Sequence, residues 1–256
     1  MKTRIMWLAM AFIIAGCGGD DTSDVMDVPG NNGNLNLRNT GASAEELLRD
    51  ANYNRLEVEF IYVNGARPET TTINNLKAFL QQRLNKPSGI NFTERSTTDT
   101  TGENYTIEEI VALEEANRTS YTRDNTVAVS ILVVDKPNEK DEGNSVVLGT
   151  AYRNTSMVIY QNTVERFSGG VGQPSRVTLE TTVYNHEFGH LMGLVNLGTP
   201  LQSAHEASNS DNHCNVDGCL MFFEINGGNI LNMMNMSSIP QLDDQCLADL
   251  RANGGK

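Results

Sequence analysis

Positive charge is scarce in this chain. Its 19 lysines and arginines stand against 32 aspartates and glutamates, a formal charge of −13. So acidic a chain repels the phosphates of nucleic acid and of anionic lipid surfaces, which excludes both as electrostatic partners. The acidic residues are scattered, so they do not form a charged interaction tail. No internal repeat is visible, which excludes a repeat array. Beyond the first 16 residues no long apolar run occurs, so there is no second membrane anchor. Cysteine is scarce as well: Cys17 stands apart near the start, and Cys214, Cys219 and Cys246 lie late in the chain.

What stands at the start reads as an export signal. Lys2 and Arg4 make a basic beginning, and Ile5 to Ala15 form an apolar run too short for a stable membrane span. The polar stretch Gly18-Gly19-Asp20-Asp21 argues against a buried core helix. Ile14-Ala15-Gly16-Cys17 resembles the bacterial lipobox, which implies a signal peptide over 1–16 and a lipid on Cys17. Gly18 after the cysteine is similar to outer-membrane lipoproteins. The resemblance therefore implies the bacterial envelope, periplasmic or surface-facing, with the lipid as membrane anchor. Loss of residues 1–16 removes both early basic side chains and leaves 17 against 32 acidic, a formal charge of −15. Residues 17–44, rich in Gly, Asn, Asp and Ser, carry few apolar side chains to offset the entropy of ordering and read as a flexible tether. Residues 45–256 suffice for one core and one domain, expected to be a monomer.

Chemistry concentrates at His186-Glu187-Phe188-Gly189-His190, with Gly193 behind it. Four residues apart on a helix, the two imidazoles project from one face and can grip a single ion. Glu187 between them is positioned to take a proton from metal-bound water and to pass it to a leaving amine. Zinc then needs a third protein ligand and an open position. Glu187 is accordingly the expected catalytic base, and His186 and His190 the first two metal ligands.

The surrounding pattern predicts a strand at Leu56–Val63, a helix at Thr72–Leu84 and a helix at Thr106–Arg118. Residues 91–104 are polar and carry no clear period. Thr126–Val134 (TVAVSILVV) is apolar on both faces and reads as a central strand. Val146–Tyr152 and Ser156–Gln161 form two strands joined at Arg153-Asn154-Thr155, the first being the candidate edge for pairing with an extended peptide. Ser175 caps a helix running to about Leu194, and Leu242–Leu250 closes the chain as a helix. Strands with helices early and a loop-rich helical part late describe an α+β layout.

His186 through Gly193 resembles the metzincin clan of zinc peptidases, whose pattern H-E-x-x-H-x-x-G-x-x-H is followed by a methionine turn. The last position here is Asn196, a poor zinc ligand. His213-Cys214-Asn215-Val216-Asp217-Gly218-Cys219-Leu220-Met221 is similar to the H-C-x-x-x-x-C-x-M segment of the archaemetzincins. That resemblance implies His213 as third ligand, Met221 as the Met-turn residue and an insertion over 194–212. His205 and Asp211 are rivals to His213, and Met233, Met234 and Met236 to Met221. The implied fold is a metzincin-like zincin, α+β, with an N-terminal mixed sheet and helices and a loop-rich helical C-terminal part.

In the same family a paired C-x-x-C follows, where this chain has Cys246-Leu247-Ala248-Asp249. The resemblance implies a second, structural zinc held by Cys214, Cys219, Cys246 and Asp249. One disulfide plus a free thiol is the competing arrangement in an oxidising compartment. The leading expectation is a zinc-dependent endopeptidase acting on peptides or proteins, with one catalytic and a possible structural Zn(2+). The alternatives are a catalytically silent binding or structural lipoprotein on the same scaffold, and a glycan- or protein-binding surface rich in asparagine.

Overall fold

The computed structural model describes residues 35–222, 226–229 and 236–256. The expected signal peptide, Cys17, the tether up to residue 34, Met233 and Met234 lie outside them. The elements run α1 (Ala44–Leu48), β1 (Arg55–Val63), α2 (Thr70–Arg83), β2 (Ile90–Thr97), α3 (Ile107–Asn117), β3 (Thr126–Val134), β4 (Ser145–Val147), β5 (Gly149–Arg153), β6 (Ser156–Tyr160), α4 (Gln161–Arg166) and α5 (Arg176–Leu191). A looser C-terminal part follows, with β7 (Glu206–Ala207), β8 (Ser210–Cys214), β9 (Asn226–Asn229) and α6 (Asp244–Ala252).

Five strands form one sheet in the order β2-β1-β3-β6-β5. β1, β2, β3 and β6 are parallel and β5 alone runs antiparallel, at the edge. β3 is central because both its faces are apolar and both are covered. Side chains alternate across it: Val127, Val129, Ile131 and Val133 join the core under α2 and α5, whereas Leu132 and Val134 meet Ile110 of α3 on the other face. β2 was illegible as a strand because it is the opposite edge, with most of its side chains in solvent.

Local signals fix the helices. Thr106 and Glu109 form a reciprocal capping box at α3, with bonds of 3.1 and 2.9 Å. Ser175 accepts the Thr178 N–H at the start of α5. Every residue from Leu179 to Leu191 of α5 is buried. Leu179, Val183 and Phe188 each gain about 1.5–3 kcal/mol from that burial. The helix stops three residues earlier than its pattern predicts. Gly193 takes φ +73°, and a Cβ there would lie 2.7 Å from both Ala44 Cβ and the Thr199 nitrogen.

The expected tether boundary at residue 44 shifts. Asn36 is fully buried, donating to Thr122 Oγ1, Ala128 O and Thr155 Oγ1 and accepting the Thr122 N–H. Asn154 exchanges bonds of 2.9 and 3.0 Å with the Arg38 backbone. Residues 35–43 are polar, but their side chains satisfy buried backbone groups, a role that composition does not reveal.

Candidate metal centres

α5 carries His186, Glu187 and His190 into the interior, at 0%, 0% and 4% exposure. β8 brings His213 to them across the expected insertion. The three rings lie with centroids 4.7, 5.2 and 5.1 Å apart. Their protonation follows from their partners. His186 Nδ1–H donates to the Leu220 carbonyl at 3.0 Å, so its lone pair is on Nε2, 3.0 Å from His190 Nε2. His213 Nδ1–H donates to the Asp211 carbonyl at 2.9 Å, with Ser210 Oγ 3.0 Å away. Burial, then the neighbouring His213, pushes His186 down to about 3. Burial likewise holds His190 well below the ordinary imidazole value. Neutral imidazoles with converging lone pairs are the donor set zinc takes at three-ligand sites, so these residues fit the ion.

Glu187 sits between this triad and the sheet edge. Its Oε2 accepts the Ala151 N–H of β5 at 2.9 Å, its Oε1 is buried without a hydrogen-bond partner, and burial pushes its carboxyl up to about 8. Gly149 makes the approach possible, since a Cβ there would lie 2.7 Å from Glu187 Cγ and 3.0 Å from Val183 Cγ1. Neither Gly149 nor the Ala151 N–H was singled out in the sequence. The available signal was a glycine interrupting the apolar run Val146-Val147-Leu148. Gly149→Ala is expected to displace the carboxylate and lower turnover about 10²-fold, with zinc content unchanged. Activity and metal analysis on the same preparation check it.

Met221 lies directly beneath α5: a Cβ on Gly189 would come within 2.4 Å of its sulfur. Met236, by contrast, packs at the core and accepts the Thr182 hydroxyl. Asn196 is turned away from the triad. The chain passes through left-handed Val195 (φ 53°) and Asn196 (φ 66°), and the Asn196 amide donates to Glu206 at 3.2 Å. The two rivals for the third position lie apart from each other. His205 is buried beside the cysteines, and Asp211 lines a cleft of about 380 Å³ together with Thr40, Ala151, His190, Leu197 and His213.

The three late cysteines are free thiols and converge, with Cys219 Sγ 3.7 Å from Cys246 Sγ. Hydrogen bonds from Cys214 and Cys246 hold Cys219 far below the usual thiol range. Asp249 does not join them as the family pattern implied. Its Oδ2 lies 2.7 Å from His205 Nε2 and its Oδ1 accepts the Gln202 N–H at 2.7 Å. Both oxygens are thus committed, and the helix α6 that carries Cys246 turns the carboxylate behind the histidine.

No family model and no curated protein matches the chain. Among solved structures it is similar to archaemetzincin from Methanopyrus kandleri, at 15% identity over 78% of this chain and 96% of that one, with a TM-score of 0.51. The fold is that of a metzincin-like zincin. Metalloproteinase-II from Bacteroides fragilis also matches, at 13% identity over 80% of this chain and 56% of that one (TM-score 0.40). Mature mirolysin from Tannerella forsythia matches at 15% identity over 78% and 91% (TM-score 0.37). Among the described residues two groups can hold an ion, His186/His190/His213 and His205/Cys214/Asp243/Cys246, each with ligand atoms within 4.8 Å of one another.

The buried titrating groups set a pH profile for the metal-free protein. His186 falls from 6.5 to about 3 on folding, so its contribution is complete above pH 6.5 and lost as pH falls toward 3. His190 acts in the same direction. Glu187 rises from 4.5 to about 8, so its contribution is present below pH 4.5 and lost as pH rises through 8. Two histidines outweigh one carboxyl where the windows overlap. Stability of the chelated protein is therefore expected to peak near pH 6.5 and fall on both sides. Urea denaturation between pH 4 and 9 checks it, and a flat profile rejects it.

Proposed function

We propose that the protein is a zinc-dependent endopeptidase, with His186, His190 and His213 as zinc ligands and Glu187 as general base. Zinc in this set would supply Lewis acidity and lower the pKa of water in its open position. Glu187 receives the proton of the attacking water and hands it to the leaving amine. Its buried carboxyl, raised toward neutral pH and steadied by Ala151, suits that exchange. β5 is the edge strand of the sheet, the position at which an extended peptide is held by main-chain bonds. The observation that carries this reading is the juxtaposition of Glu187, three converging imidazoles and that edge strand.

The same reading places a lipid on Cys17 after removal of residues 1–16, with residues from 17 to about 34 as tether. The domain then acts as a monomer at the bacterial envelope, at the outer membrane. A second ion at the cysteines has a structural role. The test is cleavage of a denatured protein digest by zinc-loaded protein, followed by mass spectrometry. Cleavage that a chelator abolishes and zinc restores supports a metallopeptidase. Hydrolysis persisting without metal, or no cleavage by protein with zinc at its histidine site, would reject it.

A further inference from the structure

The cysteine cluster contains a fourth donor. His205 is fully buried, and its Nδ1 lies 3.4 Å from Cys214 Sγ and 3.9 Å from Cys246 Sγ, which is itself 3.7 Å from Cys219 Sγ. Zn–S bonds of about 2.3 Å and Zn–N bonds of about 2.0–2.1 Å place tetrahedral S···S pairs about 3.8 Å apart and S···N pairs about 3.6 Å apart. These three spacings lie within a few tenths of an ångström of those values; His205, Cys214 and Cys246 share one group with Asp243 in which all ligand atoms are within 4.8 Å, and Cys219 stands beside it through Cys246. A disulfide would need its sulfurs within about 2.05 Å.

The surroundings are arranged for the same purpose. The Val216 N–H donates to Cys214 Sγ at 3.4 Å and the Asp243 N–H to Cys219 Sγ at 3.5 Å, both of which favour the thiolate. Asp249, with no exposed surface, sits 2.7 Å from His205 Nε2. A carboxylate on that nitrogen keeps its proton there and leaves the Nδ1 lone pair aimed at the sulfurs. Asp243 is the competing carboxylate. Its Oδ1 caps the Cys246 N–H at 2.8 Å, and its Oδ2 stands 3.8 Å from Cys214 Sγ, farther than His205.

We infer that this chain's second metal site is a Cys₃His site in which His205 Nδ1 is the fourth ligand and Asp249 orients it. The segment between the second and third histidine ligands thereby supplies what the Cys246-x-x-Asp249 pair does not. The site stands apart from the peptidase reading, since neither His205 nor any cysteine belongs to the histidine triad. It also braces that triad. Cys214 follows His213 directly, and Cys219 precedes the Leu220 carbonyl that holds His186.

The test removes the histidine site first, with His186→Ala and His190→Ala together in the full chain, and loads the protein with Co(II) under reducing conditions. One cobalt per chain with intense thiolate-to-metal charge transfer is expected. In that background His205→Cys should keep the ion and shift the spectrum toward a four-thiolate pattern, while His205→Ala should lose it or open the site to water. Asp249→Asn should retain the spectrum and weaken affinity about 10–100-fold. A spectrum and stoichiometry unchanged in both His205 variants would overturn the assignment. So would a Cys–Cys disulfide in the freshly purified zinc-loaded protein. Peptide hydrolysis is not read in any arm, so an inactive protein leaves this result standing and an unbound cobalt leaves the peptidase test intact.

Discussion

Replacing Glu187 with glutamine is expected to lower peptide hydrolysis by about 10²–10⁴-fold while zinc stays bound at the unmodified ratio. The side chain keeps its size, so the contact with Gly149 and the bond from the Ala151 N–H survive. What it loses is the capacity to take a proton. A glutamate that only filled space would tolerate the change. The substitution has a second, independent signature. Burial raises the Glu187 carboxyl to about 8, so its own contribution to the stability of the metal-free protein is lost as pH rises from 4.5 through 8. Glutamine has no charge to bury. The variant should therefore lose the alkaline limb of the stability profile and become more stable than the unmodified protein above pH 8. Paired measurements of turnover, zinc content and urea midpoint at pH 6.5 and 8.5 check all three. Retained turnover with zinc in place would remove Glu187 from the mechanism.

The parts of the molecule legible in the sequence are those where one local rule sufficed. β3 announced itself by apolar residues on both faces, α5 by Ser175 and its period, and α3 by Thr106 and Glu109. β2 was lost because an exposed edge strand has no hydrophobic alternation to read. The segment 35–43 was misjudged for a related reason: Asn36 is buried through hydrogen bonds, and composition records only that it is polar. In the site, helical spacing gave His186, Glu187 and His190 directly. His213 came through a resemblance, and β8 does bring its ring against theirs. The Asp249 expectation failed because adjacency to Cys246 on one helix says nothing of which way a carboxylate three residues on will face. His205 read as a rival ligand for the first ion, whereas its ring lies beside Cys214 and Cys246. Only tertiary placement separates two clusters that share the stretch from His205 to Cys219.

That shared stretch makes the third ligand the most exacting place to test. His213→Ala is expected to empty the histidine site, with affinity falling by more than the about 10–100-fold that loss of an orienting partner alone produces. Two helix histidines remain, but four-coordinate zinc with one open position requires three protein donors. The cysteine site should keep its metal, so total zinc should drop by one ion. The decisive comparison is the double variant His213→Ala with Asn196→His, which rebuilds the full motif spacing on the chain. It is expected not to recover the ion. Position 196 adopts φ 66°, follows Val195 at φ 53°, and sends its side chain 3.2 Å from Glu206 at the surface. Histidine tolerates that left-handed backbone, so the obstacle is direction and not strain. A turn bent this way carries residue 196 out while β8 carries 213 in. Metal analysis of the two variants reads the outcome. If His213→Ala alone keeps the ion, the role assigned to His213 falls; if the double variant regains the lost ion, the outward direction assigned to residue 196 falls.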